Sequence, residues 1–220
     1  MGSSDPRLVL LGRQGAGKGT QSTRLAEHYG VIHVSTGDMF RTQATQGTAF
    51  GLEAKRYMDA GDLVPDEIVV GVIEESMVPG GPLGGGFVLD GFPRTLQQAR
   101  ELDRVIAGDP IDLVIDLDVP REIVFDRIAG RRVCEECQRV YHVNLPPEND
   151  WVCDTCGGAV RQRDDDTEDA VERRLEVYER ETVPIVDYYR ARGLLTVVDG
   201  VGEGDDVFER LVKVCVEQLG

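Results

Sequence analysis

Lysine is scarce in this 220-residue chain. Only Lys18, Lys55 and Lys213 supply it, among 24 basic residues. A chain that does not use lysine as surface filler draws attention to Lys18, which stands among glycines. Positive charge as a whole is outweighed: the net charge of −16 excludes non-specific nucleic-acid binding, because the phosphate backbone would be repelled. No apolar run approaches the ~18 residues that a membrane span requires. The start, whose first four residues read equally as natural or as an added remnant, lacks the basic-then-apolar form of a signal peptide. The chain is therefore expected to be cytoplasmic, with no membrane partner. Five cysteines without a secretory signal point to a reducing compartment, where close pairs bind metal more readily than they form disulfides. No internal repeat is present, and the glycine cluster at 80–86 reads as a loop. A chain of this length buries a substantial core, as one domain with insertions or as two.

The segment from Gly12 to Thr20, GRQGAGKGT, has the form of a phosphate-binding loop with one irregularity. The usual order is Gly, four residues, Gly, Lys and then a hydroxyl residue that binds Mg²⁺. Gly12, Gly17 and Lys18 fit this order, but Gly19 stands in the hydroxyl position and Thr20 comes one residue late. Before the loop runs a short apolar segment suited to a buried parallel strand. Within it, glycines keep side chains out of the phosphates' path, and the backbone N–H groups of Gly15, Ala16, Gly17, Gly19 and Thr20 face an anion at a helix N-terminus. Lys18 supplies a point charge to the transferring end of a nucleotide.

Apolar, β-branched runs at 8–11, 31–35, 87–90, 113–117 and 194–198 alternate with amphipathic stretches near 20–29, 66–77, 96–106, 121–128 and 168–189. This is the signature of a doubly wound α/β fold, a parallel five-stranded sheet covered on both faces. Two segments interrupt it. Residues 35–64 insert helical material, and 130–166 form a polar excursion with four cysteines. The core is then expected from 1–34, 65–129 and 167–220.

The excursion contains Cys134, Cys137, Cys153 and Cys156. Two C-x2-C pairs about fifteen residues apart form a tetrahedral zinc pattern. Four thiolates leave no open position for catalysis, so the metal is structural and folds a small β-rich lid. His142 is a competing ligand in principle, though four cysteines suffice. Cys215, in an apolar helical pattern, reads as core, and His28 and His33 read as structural.

Five motifs occur in a fixed order: GRQGAGKGTQ, STGDMFR (35–41), DGFPRT (90–95), GRR (130–132) and RDDD (163–166). In this order and over essentially the whole chain, the sequence resembles the adenylate kinases, and the cysteine-bearing insertion is similar to the lid of the bacterial long form. The resemblance implies a P-loop fold with an NMP-binding insertion and a lid. It implies Mg²⁺-dependent transfer of a phosphoryl group from ATP to AMP, giving two ADP, by a monomer. It implies that Arg41 and Arg94 hold the AMP phosphate, and that Arg131, Arg163 and Arg174 close over the transferring group. Arginine suits these tasks because its planar fork grips phosphate oxygens bidentately.

By the same resemblance, Arg127, Val140, Tyr141 and Gly202 lie beside the ATP base or ribose, though packing within the lid is an equal reading for Val140 and Tyr141. Thr36, Asp62, Leu63, Val64, Gly91, Phe92, Pro93 and Gln98 line the AMP site, with Gln98 offering a donor and an acceptor to the adenine edge. Asp90, at a strand end beside the phosphate loop, is a Mg²⁺ partner through water; a turn-capping aspartate is its other reading. Asp165 and Asp166 match a pair that orients arginines, or else form an exposed cap before the following helix. Arg13 and Gln14 depart from the small residues or proline usual in the loop. Pro65 replaces a common hydroxyl residue and suits the first helical position. Arg180 and Arg190 read as surface ion pairs. Two other readings use the same residues: a kinase for another nucleotide pair, and a zinc-ribbon interaction module on a nucleotide switch.

Overall fold

The computed structural model of the chain describes residues 5–76, 85–108 and 110–220. The expected end of the 66–77 helix, most of the 80–86 loop and the first four residues lie outside these. Five parallel strands form the main sheet: β1 (Arg7–Leu11), β2 (Ile32–Ser35), β3 (Phe87–Asp90), β4 (Leu113–Asp118) and β8 (Leu195–Asp199), in the order β2-β3-β1-β4-β8. Alternation along each strand divides the core into two layers. Val9, Leu11, Phe87, Leu89 and Val114 face one side, where α4 (Asp66–Ser76), α5 (Leu96–Val105) and α8 (Val183–Arg190) pack. Leu8, Leu10, Val88, Leu113 and Ile115 face the other, against α1 (Lys18–Tyr29), α6 (Arg121–Ala129) and α9 (Gly204–Leu219). Burial on both faces is what makes these strands read as short, nearly continuous apolar runs.

The layering fixes where a ligand can sit. The helix after β1 covers one face and the helix after β3 covers the other, although the strands are neighbours. A crevice opens between them at their carboxyl ends, the position at which open α/β sheets bind ligands. The register places Asp90 opposite Leu10 of β1 and Ser35 of β2, so the end of β3 stands beside the start of the glycine loop.

The first insertion is a helical pair, α2 (Thr36–Thr45) and α3 (Ala49–Asp59), capped by Ser35 and Thr48, whose hydroxyls accept from the N–H groups of Asp38 and Gly51. The second is a three-stranded antiparallel sheet, β6-β5-β7, of β5 (Arg131–Cys134), β6 (Val140–His142) and β7 (Val160–Arg161). Its apolar core amounts to Cys134, Tyr141, Cys153 and Val160, with Trp151 against them. That is too little to hold a fold by burial alone.

Two local expectations need correction. The stretch 168–189 is not one continuous helix: α7 (Glu168–Val177) passes through a π-helical turn, Tyr178–Thr182, before α8. Pro184 has no N–H, and its ring cannot pack against the carbonyl four residues back. The turn widens, and Val183 N–H bonds to the Tyr178 carbonyl, five residues earlier. Pro65 stands one place before the helix, its carbonyl accepting from Ile68 and Val69.

The α2–α3 pair leaves no room at Gly51, where an added methyl would lie 2.2–2.5 Å from the backbone of Gln43 and Ala44. Gly51→Ala should therefore lower stability by about 1–3 kcal/mol in urea unfolding. An unchanged midpoint would show that the helices separate without cost.

Candidate functional site

The glycine loop follows β1 and leads into α1 at Lys18. Gly17 caps the helix with φ +97°, and Gly15 has φ +81° with Ile128 and the Val124 carbonyl 2.7 and 2.8 Å from where a Cβ would stand. Only glycine fits that closeness and that backbone. Lys18 folds back over the loop, its Nζ donating to the carbonyls of Gly12 (2.7 Å) and Arg13 (3.0 Å). Desolvation pulls its pKa down to about 8; Asp90 and Asp116 oppose this, and Arg94 and Arg131 add to it. Arg13 ties the loop to the π-helical turn, pairing with Glu179 at 2.8 Å and Asp118 at 3.3 Å. Gln14 is half-buried beside it.

Across the crevice stands a crowd of guanidinium groups. Arg131 forms a forked pair with Asp166, which has no side-chain exposure. Arg174 pairs with Asp165 and donates to the Asp165 carbonyl (3.0 Å) and the Met58 carbonyl (2.9 Å). Both aspartates are buried, which removes the exposed-cap reading and leaves them as arginine orienters. Burial would raise the Asp165 pKa, but Arg174, Arg41 and Arg163 hold it below the usual carboxylate range. Arg41 pairs with Asp38, and Arg163 lies 3.9 Å from the same carboxylate. The Nε atoms of Arg41 and Arg163 are buried with no hydrogen-bond partner. Arg94, enclosed by protein yet open to the crevice, donates from Nε to the Gly91 carbonyl at 2.7 Å. Desolvation and neighbouring arginines lower the pKa of Arg94 and Arg163 to about 10. Both stay charged at neutral pH. Buried guanidinium N–H groups without acceptors, packed among like charges, constitute a site for a polyanion.

Beside this crowd, one cleft is lined by Thr36, Asp62, Leu63, Val64, Gly91, Arg94 and Gln98, together with Phe40 and Met58. Thr36 Oγ1 donates to the Gly91 carbonyl at 2.9 Å. Phe92 and Pro93, joined by a cis peptide bond, are buried beneath it.

A model of the adenylate kinase family matches residues 10–194. The chain is 48% identical to the adenylate kinase of Carboxydothermus hydrogenoformans over 205 residues, covering 92% of this chain and 95% of the relative. It is 48% identical to that of Streptomyces griseus, covering 94% and 96% of the two chains. With the adenylate kinase of Thermodesulfovibrio yellowstonii the identity is 45%, covering 94% and 98%. The chain belongs to the adenylate kinase family.

Other members of the expected adenylate kinase site fall elsewhere than the crevice floor. Arg127 reaches the carbonyls of Ala16 and Gly200 at 3.3–3.4 Å, bridging the glycine loop to the end of β8. Gly202 follows in a turn with φ +121°. The Tyr141 side chain points into the lid's own core, where its hydroxyl donates to Cys153 Sγ (3.3 Å) and accepts from Asp154 N–H (2.9 Å). Between the two readings of Tyr141, the ring serves lid packing; Val140 is 49% exposed. Arg180 and Arg190 make exposed pairs with Glu181 and Asp187. Cys215 is buried in the core.

The four lid cysteines lie with all their sulfurs within 4.8 Å of one another, Cys134–Cys156 at 3.4 Å and Cys137–Cys153 at 3.6 Å. Zinc with bonds of about 2.3 Å in a tetrahedron needs sulfurs about 3.8 Å apart, so the set fits that ion. His142 is not part of it. Its Nδ1 accepts from Asn144 N–H, and its ring lies over Gly130 at the lid's base.

For magnesium the relevant group is Asp90, whose Oδ2 lies 4.0 Å from Nε2 of His33. A methyl on Gly19 would stand 3.4 Å from Asp90 Oδ2. Glycine in the usual hydroxyl position thus leaves the space before the carboxylate open, which suits a hydrated, oxygen-seeking ion.

Two contributors escaped the sequence reading. Asp38 bridges Arg41 and Arg163; its i, i+3 spacing to Arg41 was the available signal. Thr182, on the π-helical turn, donates to the Arg94 carbonyl at 2.9 Å, and only Pro184 hinted at the turn. His33, expected to be structural, bonds to Thr23 at 3.2 Å and lies 4.0 Å from Asp90.

Because the Lys18 ammonium loses its proton as pH rises through about 8, and a bound phosphate would hold that proton more tightly, nucleotide affinity should weaken by up to tenfold per unit above pH 8. Calorimetric titration of ATP from pH 7 to 9.5 measures this. Constant affinity over that range would contradict the placement of Lys18 at the phosphates.

Proposed function

We propose that this chain catalyses Mg·ATP + AMP ⇌ 2 ADP, and that the crevice between β1 and β3 is where the phosphoryl group crosses. The observation that carries this reading is the set of Lys18, Arg41, Arg94, Arg131, Arg163 and Arg174 around a crevice with two buried, unpartnered guanidinium nitrogens. Phosphoryl transfer asks mainly for positioning and charge neutralisation. No general base is required, since the acceptor is already a phosphate anion.

On this reading the loop Gly15–Thr20 cradles the donor phosphates, and Lys18 exchanges its two loop carbonyls for phosphate oxygens. Arg127, Gly202, the exposed Val140 and the backbone at Tyr141 adjoin the ATP base and ribose. Arg41 and Arg94 grip the AMP phosphate at one end of the crevice, with Thr36, Asp62, Leu63, Val64, Gly91, Phe92, Pro93 and Gln98 forming the pocket for its nucleoside. Arg131, Arg163 and Arg174, aimed by Asp165 and Asp166, cover the group in transit. Asp90 would hold Mg²⁺ through water, and the ion supplies charge to the donor phosphates.

The insertion 35–64 and the lid 130–166 move on a core of 1–34, 65–129 and 167–220, excluding water when both nucleotides are bound. Two contacts join these parts and would open in that movement: Arg174 to the Met58 carbonyl at 2.9 Å and Lys55 to Asp164 at 3.3 Å. Zinc at Cys134, Cys137, Cys153 and Cys156 stands in for the core that the lid lacks. We place the protein as a monomer acting on dissolved nucleotides in the cytoplasm; no described helix is long and apolar enough to cross a membrane.

Lys18→Ala and Arg94→Ala should each lower turnover by about 100-fold or more with little change in unfolding midpoint. Near-normal turnover in either folded variant would refute its role. Stripping the metal should lower the Tm of the lid's unfolding step more than it alters the chemical step. A metal-free protein that melts unchanged would refute the structural zinc.

A further inference from the structure

Behind the AMP pocket lies a hydrogen-bonded network built on one buried side chain. Gln98 is only 1% exposed, and its side-chain amide is held at both ends. Its Oε1 accepts from the Arg94 backbone N–H at 2.8 Å, and its Nε2 donates to Asp66 Oδ1 at 2.7 Å. A backbone N–H can only donate and a carboxylate can only accept. The chemistry of the two partners therefore settles which end of the amide is oxygen and which is nitrogen. Asp66 is itself fixed, since its Oδ2 accepts from Thr95 Oγ1 at 2.9 Å, and that hydroxyl accepts from Gln98 N–H at 3.1 Å. Asp66 opens α4 and does not line the cleft; Gln98 does.

A glutamine amide has two N–H groups and two lone pairs. The protein uses one of each, so one N–H and one lone pair remain for a ligand. Adenine offers the matching edge, with N1 as acceptor and the N6 amino group as donor. Guanine offers the inverse, with N1–H as donor and O6 as acceptor. Reading guanine would require a flipped amide. The flip would set NH₂ against the Arg94 N–H and oxygen against the Asp66 carboxylate, two repulsive contacts at a side chain only 1% exposed.

We propose that Asp66 is a specificity-determining positioning residue: it locks the Gln98 amide in the orientation that accepts adenine and rejects guanine. This rests on the acceptor reading of the cleft. Asparagine at position 66 keeps the shape but can turn its own amide to match either orientation of Gln98, which removes one of the two contacts that hold the amide and leaves only the Arg94 N–H to oppose the flip.

The test is steady-state transfer from ATP to AMP and to GMP by the parent chain, Asp66→Asn, Asp66→Ala, Gln98→Ala and the Asp66→Asn/Gln98→Ala double variant, each checked for folding by thermal melting. The parent should favour AMP. In Asp66→Asn, KM for AMP should rise about tenfold with kcat within about threefold, and the AMP-over-GMP ratio of kcat/KM should fall about tenfold. In the Gln98→Ala background, Asp66→Asn should leave the ratio unchanged, because there is no amide left to orient. An undiminished ratio in folded Asp66→Asn and Asp66→Ala would overturn the proposal, as would an effect that persists without Gln98. A parent chain with no preference for AMP would instead overturn the acceptor reading, and the proposal with it, before any variant is compared.

Discussion

Like-charge crowding at the crevice is the constraint around which the molecule is arranged. A chain with net charge −16 gathers Lys18 and five arginines at one edge of its sheet, where desolvation first and neighbouring arginines second depress the pKa of Lys18, Arg94 and Arg163. Such an assembly is costly when empty. It persists because carboxylates hold its back: the buried Asp165 and Asp166 pin Arg174 and Arg131, and the half-exposed Asp38 spans Arg41 and Arg163. The faces left unpaired point where phosphates would go. A bound polyphosphate relieves the repulsion, so binding energy and catalytic charge stabilisation arise from the same groups.

The fold serves this arrangement by bringing together segments distant in sequence. Parallel strands place the glycine loop and the Asp90–Arg94 turn side by side, and the change of helix face between β1 and β3 keeps the gap between them open. The π-helical turn adds a second tie, because Thr182 fixes the carbonyl of Arg94 and Glu179 fixes Arg13 in the loop. Arg13, unusual at its position, is thus a strut from the phosphate loop to the end of β4 and the π-helical turn.

Much of this was legible because it is local or periodic. Gly12–Thr20, Asp90–Thr95 and the two C-x2-C knuckles announce their geometry through spacing, and the strands through short apolar runs. Partners separated by long stretches were not legible. The sequence shows Gln98 as a glutamine one helical turn after Arg94, but that its amide is clamped by Asp66, 32 residues earlier, follows only from packing α4 against α5. The destination of Tyr141 was undecided for a related reason: an aromatic near a knuckle serves ligand or lid equally well until the lid's small core is seen to need it. The interruption of the 168–189 helix depended on Pro184, whose effect on the helix before it is a question of backbone sterics and not of hydrophobic period.

The account turns on two nucleotides meeting across one crevice, and the most direct measurement is ADP formation from a matrix of nucleoside triphosphate donors and monophosphate acceptors with Mg²⁺. The account predicts that ATP with AMP is the most efficient pair, giving two ADP for each AMP consumed. No transfer with any pair, or a clear preference for a pair lacking AMP, would contradict it.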